Sequence, residues 1–309
     1  MRRILVTGGC GFIGSHLVDL LLTLGHQVVV VDDLSTGKVN NLPLGRSELQ
    51  FVRSCVTDRV AMVQALDRVD AVVHLAAVSS VQASVDDPVR THGVNFTGTL
   101  NVLEACREVG VRKLVFASSA AVYGNPASLP VGETLVPEPL TPYAIDKFAS
   151  EQCLSFYRRT FDFDTTIFRL FNVYGPRQDP SSPYSGVISL FVAGAMAGQP
   201  IIIFGDGSQT RDFIYVTDVV TAIAGALECP SFAGGPVNVG TGSSQSLHDV
   251  IAALKALTER DIYVHYDRAR HGDIKHSCAD TTRLRATGWK PATSLIVGLS
   301  RIIEEAYSL

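Results

Sequence analysis

The stretch RILVTGGCGFIGSHL, residues 3–17, runs from a short apolar segment through three regularly spaced glycines into a second apolar-rich segment. Gly8, Gly11 and Gly14 lie between a predicted strand and a predicted helix. Gly8 suits a tight turn, Gly11 lets a phosphate approach the backbone, and Gly14 lets the helix pack close to the strand. The free N–H groups at the start of such a helix favour anions. The pattern therefore predicts a loop that binds the pyrophosphate of a dinucleotide.

A second apolar strand ends in an acidic pair, Asp32 and Asp33, which begins 18 residues after Gly14. A carboxylate at this point can accept hydrogen bonds from the adenosine ribose hydroxyls and would repel a 2′-phosphate. The alternative is a structural turn followed by a solvated acidic pair. The order of strand, glycine loop, helix, strand and carboxylate favours dinucleotide binding, and it favours NAD over NADP.

Apolar runs alternate with longer amphipathic segments through the first half of the chain. Continuous apolar runs, typical of strands covered on both faces, predict strands at 4–6, 28–31, 71–75, 113–117 and 165–170. Helices are predicted at 13–24, 95–109 and 143–160. This alternation predicts an α/β fold, a Rossmann-type doubly wound parallel sheet with a smaller C-terminal substrate-binding lobe.

The predicted domains are an NAD-binding Rossmann domain at 1–173 and a lobe at 174–309 that mainly binds substrate. The boundary follows from the turn-rich segment 175–186, GPRQDPSSPYSG, which cannot form regular structure. A helix and a strand around 214–242 are expected to return to the first domain.

The composition narrows the classes of partner. Net charge is −4 without a cluster of Lys and Arg, which argues against nucleic acid and against an anionic membrane surface. The six cysteines show no metal-ligand spacing, so we expect buried reduced thiols and no metal. No run approaches the roughly 18 to 20 apolar residues that a membrane span needs. A cytoplasmic protein is the expectation.

Tyr143 and Lys147 stand four residues apart at the start of a predicted helix, so both side chains share one helix face. Tyrosine is a weak base, with a pKa near 10. A neighbouring ammonium and a positively charged nicotinamide ring would lower that pKa. Such a tyrosine can take a proton from a substrate hydroxyl while the cofactor takes the hydride.

In isolation, a surface Tyr–Lys pair would be the ordinary interpretation. Two strand ends argue against it: one predicted strand ends in Ser118 and Ser119, and another is followed by Phe171 and Asn172. Open α/β sheets bind ligands at this edge. We therefore expect these groups to converge on one site, with a serine hydroxyl bonded to the same substrate oxygen as the tyrosine.

Together these motifs resemble those of the extended short-chain dehydrogenase/reductase family, and within it the nucleotide-sugar 4-epimerases. The resemblance runs nearly end to end and is carried by residues 8–14, by Ser118 and Ser119 with the VYG at 122–124, by Tyr143 with Lys147, and by RLFNVYGP at 169–176.

The resemblance implies a mechanism without net oxidation. Tightly bound NAD takes the hydride from C4 of the sugar while Tyr143 takes the proton of the 4-hydroxyl. The 4-keto sugar then rotates about its link to the pyrophosphate and receives the hydride on its other face. Ser119 is implied as the catalytic serine, and Lys147 as the residue that orients the nicotinamide ribose and tunes Tyr143.

The resemblance also implies the binding residues and a homodimer formed through the helices at 95–109 and 143–160. Further cofactor contacts are Phe12, Ile13, Asp33, Leu34, Ser35, Gly37, Leu75, Ala76, Ala77 and Asn95. Substrate contacts besides Ser119 and Tyr143 are Ser80, Asn172, Val187, Arg211, Arg270, Asp273 and Ser277. Arginine forks suit a pyrophosphate, and a carboxylate suits ribose hydroxyls.

Two positions narrow the reaction. Family members that are 4,6-dehydratases carry an Asp-Glu pair after the catalytic hydroxyl residue, whereas this chain has Ala120 and Ala121, which cannot supply an acid and a base. Ser277 matches the position that gates the sugar, where a small residue admits an N-acetyl group. The loop 178–184 also resembles that of epimerases acting on N-acetylated sugars.

The leading hypothesis is a UDP-hexose 4-epimerase that accepts UDP-N-acetylglucosamine and UDP-N-acetylgalactosamine, alongside UDP-glucose and UDP-galactose. A nucleotide-sugar 4-ketoreductase or a decarboxylase of the same family is the alternative among enzymes. A non-catalytic NAD-binding sensor would be a different class, but it has no need for Ser119, Tyr143 and Lys147 together.

The chain departs from the family at two positions. Cys55 stands where an aspartate usually contacts adenine, so that contact is lost or moved. Asp146 stands where a small residue usually precedes Lys147, and we expect it to be solvated because it points about 100° away from Lys147. A third residue, His74, is expected to be a strand-end histidine with satisfied hydrogen bonds rather than an acid or base.

Overall fold

The computed structural model describes residues 1–181, 186–228, 235–269 and 274–308, which form two compact units. The first unit comprises Met1–Val122, Pro137–Arg169 and Val220–Val237. The second unit comprises Tyr123–Val136, Leu170–Val219 and Asn238–Leu309.

The strands and helices alternate along the first half of the chain. The strands are β1 (Arg3–Thr7), β2 (Gln27–Asp32), β3 (Leu49–Arg53), β4 (Ala71–His74), β5 (Lys113–Ser119), β6 (Asp164–Leu170), β7 (Asn172–Tyr174), β8 (Ile201–Phe204), β9 (Thr210–Arg211), β10 (Phe213–Tyr215), β11 (Val237–Val239), β12 (Gln245–Ser246) and β13 (Val264–Asp267). The helices are α1 (Phe12–Thr23), α2 (Arg59–Ala65), α3 (Val81–Asp86), α4 (Pro88–His92), α5 (Gly98–Val109), α6 (Pro142–Phe161), α7 (Val187–Ala197), α8 (Val216–Glu228), α9 (Leu247–Thr258), α10 (Thr282–Arg285) and α11 (Leu295–Ser308).

The main sheet has seven strands in the order β11-β6-β5-β4-β1-β2-β3. The pairs β1–β2, β1–β4, β2–β3 and β4–β5 are parallel. The strand order reverses between β1 and β4, and in such sheets ligands bind outside the carboxyl ends of the strands at that point. The predicted Rossmann-type sheet is thereby confirmed.

The sheet is covered on both faces, which agrees with the continuous apolar pattern of its strands. Ile4, Leu5 and Val6 of β1 and Val29 and Val30 of β2 are fully buried. A strand that is buried on both faces cannot alternate apolar and polar residues, which is why the sequence pattern is continuous. Helices such as α5 and α6 supply the cover, and Leu103 and Leu154 belong to the same core cluster as Leu5.

The second unit is built on three two-stranded sheets, β10-β7, β12-β9 and β13-β8. Its core is aromatic at the centre, where the ring centroids of Tyr174 and Tyr215 are 5.5 Å apart. Phe191 and Leu254 pack in the same buried cluster. Two-stranded sheets are only marginally stable by themselves, so these short strands are held in place by the side chains that pack against them.

The predicted elements of the first half are confirmed, with ends that differ by one or two residues, apart from the helix predicted at 95–109. That helix begins differently: Gly93–Thr97 form a π-helical turn, and α5 starts only at Gly98. The π turn continues directly from α4, so one long irregular helix replaces the predicted regular start. In the described ranges, no helix is long and apolar enough to cross a membrane.

Candidate active site

The glycine loop after β1 is held so tightly that side chains are excluded. Gly8 has φ +70°, and a Cβ there would lie 2.8 Å from the backbone nitrogen of Ala76. A Cβ on Gly14 would overlap the carbonyl oxygen of Gly8. Gly11, which has no side chain, is the N-cap of α1, so the N–H groups of the first turn are available to an anion. The loop therefore fits a pyrophosphate.

Asp32 at the end of β2 is fixed next to this loop. Its Oδ2 accepts a hydrogen bond from the Cys10 backbone N–H at 2.9 Å, and its Oδ1 accepts one from Leu34 at 2.8 Å. Burial raises the pKa of Asp32, and the two backbone hydrogen bonds oppose that rise. A Cβ on Gly37 would lie 3.1 Å from Oδ1 of Asp32. The carboxylate is thus positioned for ribose hydroxyls, as an NAD site requires.

Asp33 and the residues that follow it form an exposed turn. The Asp33 carboxylate accepts a hydrogen bond from the Ser35 N–H at 2.9 Å. Lys38 closes the turn onto the glycine loop, because its N–H donates to the carbonyl oxygen of Cys10 at 3.0 Å.

The segment after β4 lies against the same loop. The N–H groups of Leu75 and Ala76 both lie 3.2 Å from Oγ1 of Thr7. The predicted cofactor residue Asn95 is buried, and its side-chain amide bonds to the backbone N–H and carbonyl of Val78, at 2.8 and 3.1 Å. Asn95 therefore holds the segment that contains Leu75, Ala76 and Ala77.

His74 is a structural histidine, as predicted. Its ring nitrogens lie 2.7 Å from Oγ1 of Thr7 and 3.0 Å from Oγ1 of Thr99. Burial lowers the pKa of His74 to about 3, so the ring is neutral at physiological pH and unsuited to a role as general acid.

Ser119, Tyr143 and Lys147 come together in the first unit. Ser119 ends β5, and Tyr143 lies in the first turn of α6, which Thr141 caps by accepting a hydrogen bond from Ala144 N–H at 3.3 Å. The Ser119 hydroxyl accepts a hydrogen bond from the Ala121 N–H at 3.2 Å, and it lies close enough to Tyr143 to favour the ionised phenol. The Lys147 ammonium donates to the Ala117 carbonyl at 2.7 Å and lies 5.9 Å from the centroid of the Tyr143 ring.

Burial dominates the electrostatics of Tyr143 and Lys147 in the protein alone. Burial raises the pKa of Tyr143, and the Ser119 hydroxyl only opposes that rise. The lowering expected when nicotinamide is bound stays a prediction, since in the protein alone the phenol is desolvated and the Lys147 ammonium donates to Ala117. Burial also lowers the pKa of Lys147 to about 8, against the negative charges of Asp146 and Glu151.

Asp146 is buried, at 3% exposure, so the expectation that it is solvated is wrong. Its Oδ1 lies 2.7 Å from Nδ1 of His92, at the end of α4. Its Oδ2 has no hydrogen-bond partner among the described residues. Helix α4 packs on α6 and covers the face that the sequence alone would leave to solvent. The ring of His92 in turn stacks on Phe96, with centroids 5.1 Å apart.

Ser118, Glu151 and Arg169 form a buried cluster next to the catalytic group, and of these three sequence reasoning missed Glu151. Ser118 donates a 2.5 Å hydrogen bond to the Glu151 carboxylate, and Arg169 of β6 binds the same carboxylate through Nε at 2.9 Å and Nη2 at 2.6 Å. All three are buried. The signal that could have found Glu151 is its position four residues after Lys147, on the same face of α6.

The second unit brings together three of the predicted substrate residues. Arg211 lies in β9, and its Nη1 donates to the carbonyl oxygen of Thr210 at 3.0 Å. The Ser277 N–H also donates to Thr210 O, at 3.1 Å, and the Asn172 N–H donates to Asp212 O at 3.1 Å. Stretches far apart in sequence therefore meet around Thr210 and Asp212.

Of the remaining predicted substrate residues, the structure describes Val187 and Ser80. Val187 is the first residue of α7 and is half-buried. Ser80 caps α3, where its Oγ accepts a hydrogen bond from the Ala83 N–H at 3.0 Å. Arg270 and Asp273 lie outside the described residues, as do residues 182–184 of the loop 178–184.

Within the described ranges, no group of three His, Cys, Asp or Glu residues could hold a metal ion. The five described cysteines are free thiols. Cys10 and Cys106 are buried as predicted, whereas Cys55, Cys153 and Cys278 are only partly buried, contrary to the prediction. Burial raises the pKa of Cys10 to about 12, so this thiol in the glycine loop is unreactive.

The sheet, the glycine loop with Asp32, and the group of Ser119, Tyr143 and Lys147 define an NAD-binding enzyme of the short-chain dehydrogenase/reductase class. Residues 4–240 match the family described as NAD dependent epimerase/dehydratase. The chain belongs to this family, and NAD is its cofactor.

Similar proteins of known name cover the whole chain. The chain is 42% identical to UDP-glucose 4-epimerase of Mycolicibacterium smegmatis, over 98% of this chain and 97% of that protein. The crystal structure of UDP-glucose 4-epimerase from Thermotoga maritima with UDP-glucose has a TM-score of 0.94 and 39% identity and covers 99% of both chains. A UDP-N-acetylglucosamine 4-epimerase from Methanobrevibacter ruminantium, in complex with UDP-N-acetylmuramic acid, has a TM-score of 0.95 and 36% identity, covering 99% of this chain and 98% of that one.

Proposed function

We propose that this protein is a UDP-sugar 4-epimerase, which interconverts the two C4 epimers of a UDP-hexose through a transient 4-keto sugar. The observation that carries the proposal is the convergence of Ser119 at the end of β5 with Tyr143 and Lys147 of α6, whose buried side chains lie 5.9 Å apart from ring centroid to ammonium. Ala120 and Ala121 follow Ser119 directly, so this segment offers no acid or base for loss of water. The similarity to proteins named as 4-epimerases supports the same reaction.

The first unit has the residues that NAD requires. The glycine loop at 8–14 would hold the pyrophosphate, and Asp32 would accept hydrogen bonds from the adenosine ribose. When bound, NAD supplies a hydride acceptor that can return the hydride, so the sugar is oxidised and then reduced again at the same carbon.

Tyr143 acts as the general base and then as the general acid. It takes the proton of the 4-hydroxyl when the hydride leaves C4, and it returns a proton to O4 when the hydride comes back on the other face. Burial raises the pKa of Tyr143 in the protein alone, so Lys147 would favour the phenolate together with the positive charge that oxidised nicotinamide supplies when bound. Ser119 bonds the same substrate oxygen and orients it.

The second unit supplies the groups proposed for the UDP part. Arg211 suits the pyrophosphate, and Asn172 offers a polar side chain to the nucleotide. Ser277 is small, so we propose that the enzyme accepts UDP-N-acetylglucosamine and UDP-N-acetylgalactosamine, alongside UDP-glucose and UDP-galactose. Names of relatives support both sugar classes, so the preference for N-acetylated sugars rests on Ser277 and the loop 178–184.

We also propose a homodimer formed through α5 and α6. Ile145 and Phe156 of α6 are 51% and 47% exposed, and apolar side chains on one helix can form an isologous interface. Light scattering on the purified protein tests this: a mass of one chain would contradict it.

The proposed reaction has a direct test. Purified protein is incubated with each UDP-sugar without added cofactor, and the C4 epimers are resolved by chromatography. We expect both epimers to appear from either starting compound, with no net formation or consumption of NADH. Net formation of NADH from bound NAD without the second epimer would indicate a ketoreductase running in reverse. In a separate incubation, release of carbon dioxide from a UDP-uronic acid would indicate a decarboxylase. Absence of any turnover would contradict the proposal.

A further inference from the structure

A buried carboxylate in the second unit gathers three separate segments of the chain. Asp212 lies between β9 and β10 and has 0% exposure. Its Oδ1 accepts hydrogen bonds from the N–H and the hydroxyl of Thr241, at 2.7 and 2.6 Å. Its Oδ2 accepts hydrogen bonds from the N–H groups of Gly242 and Ala279, at 2.9 and 3.1 Å. Four donors thus converge on one negative charge.

The backbone around the carboxylate is shaped to let these segments approach. A Cβ on Gly240 would lie 2.8 Å from Oδ2 of Asp212 and 2.7 Å from Cβ of Ala279. Gly242 has φ +77°, a conformation that favours glycine. The turn at 240–242 therefore closes directly onto Asp212.

The segments held by Asp212 carry the residues proposed for substrate binding. Arg211 precedes Asp212 in the chain, and the backbone carbonyl oxygen of Asp212 accepts the Asn172 N–H at 3.1 Å. Ser277 lies two residues before Ala279, whose N–H is bonded to the carboxylate. The backbone segments that carry Asn172, Arg211 and Ser277 therefore all meet at Asp212.

We propose that Asp212 is a positioning residue for the nucleotide of the substrate: its buried carboxylate holds the segment of Ser277 beside Arg211, its backbone carbonyl oxygen holds Asn172, and neither group touches the sugar. The inference rests on the proposed function for the identity of the nucleotide. It predicts that damage to this anchor weakens binding of UDP while the chemistry in the first unit keeps its rate.

Asp212→Asn is the direct variant. The amide nitrogen cannot accept a hydrogen bond, so two of the four N–H and O–H donors would lose their partner. We expect the KM for the UDP-sugar and the Kd for UDP alone to rise about tenfold or more, with kcat within about twofold of wild type.

The matched control is Asp218→Asn. Asp218 is a second buried carboxylate of the same unit, at 4% exposure, and it accepts hydrogen bonds from the N–H groups of Ala292 and Thr293 at 3.0 and 3.1 Å. Because none of these residues is proposed to bind substrate, this variant should lower Tm but leave KM and Kd within about twofold.

A milder variant covers the case in which Asp212→Asn does not fold. Thr241→Val removes the hydroxyl that donates to Asp212 and that also accepts the Ser243 N–H at 3.1 Å. We expect a rise of about threefold in the Kd for UDP, measured by calorimetry. Equal effects of the Asp212 and Asp218 variants on Kd, or an unchanged Kd in Thr241→Val, would overturn the inference. So would a wild-type protein that binds no UDP. Wild-type protein that binds UDP but does not epimerise contradicts the proposed function instead.

Discussion

The two units hold their candidate site residues by different means. In the first unit, Tyr143 and Lys147 lie one turn apart on a single long helix, and Ser119 lies at the end of β5, a strand whose residues Leu114–Phe116 are buried. In the second unit, the candidate residues lie on short strands and turns that meet at Asp212. A regular element fixes a side chain through its own backbone hydrogen bonds, whereas a turn needs an outside anchor.

This difference suggests a division of labour. The groups on β5 and α6 must be held precisely because they move a proton, and a small displacement is costly for the rate. The groups around Asp212 hold a nucleotide that does not react, so their displacement should appear mainly as weaker binding. Substitutions in the first unit are expected to lower kcat, and those in the second unit to raise KM or to change the choice of sugar.

The largest effect is expected for Tyr143→Phe. The variant loses the group that exchanges the proton with O4, so kcat should fall by about a thousandfold or more. The NAD content, measured after denaturation of the protein, should stay at the wild-type level. A variant that keeps most of its turnover would show that Tyr143 is not the base, and would remove the contrast between the units.

The buried ion pair below the site should dominate the stability of the first unit. Glu151→Gln leaves Arg169 without its buried counter-charge, and the free energy of unfolding in urea should fall by about 3–5 kcal/mol. Glu108→Gln is the control, since its 2.8 Å pair with Arg59 is half-exposed and is worth less than about 1 kcal/mol. Equal losses in the two variants would contradict the account.

In the second unit, Ser277→Tyr should change the choice of sugar without abolishing the reaction. The bulky ring is expected to lower kcat/KM for UDP-N-acetylglucosamine about tenfold to a hundredfold relative to UDP-glucose. Ser277→Ala, which stays small, should keep both activities. If Ser277→Tyr leaves turnover of the N-acetylated sugar unchanged, the gate assignment is wrong.

The smallest expected effect concerns pH. Lys147 must be protonated to support Tyr143, and activity is lost as the pH rises through the pKa of Lys147, about 8 in the protein alone. The negative charge of Asp146 raises that pKa, so Asp146→Asn should move the alkaline limb of the kcat/KM profile to lower pH. His92→Gln removes the hydrogen-bond partner of Asp146 but leaves the negative charge of the Asp146 carboxylate in place. The alkaline limb of the kcat/KM profile of this variant should therefore stay near that of wild type. Coincident profiles for Asp146→Asn and wild type would show that Asp146 does not act on Lys147.

The sequence was informative where the deciding contacts are local. The spacing of Gly8, Gly11 and Gly14 and the continuous apolar strands predicted the sheet, which is confirmed. The spacing of Tyr143 and Lys147 predicted a shared helix face, because four residues make about one turn. Both patterns reflect the geometry of a single element.

Contacts between elements could not be predicted in the same way. Helical geometry gives the angle of about 100° between Asp146 and Lys147, which predicts that Asp146 faces water. It does not predict that α4 packs on this face and brings His92 against the carboxylate. The anchor at Asp212 joins it to residues 29 and 67 positions away, and no periodicity encodes such a meeting. The π turn at Gly93–Thr97 likewise depends on how the chain packs rather than on its apolar pattern.

The central claim is that the hydride is borrowed from C4 and returned to it. A UDP-hexose carrying deuterium at C4 is incubated with the protein in ordinary water until both epimers are present, and the product is analysed by mass spectrometry. The account predicts that the deuterium remains at C4 of the product, because it travels as a hydride within the site. Loss of the deuterium to water would contradict the account, since it would mean that C4 exchanges a proton instead.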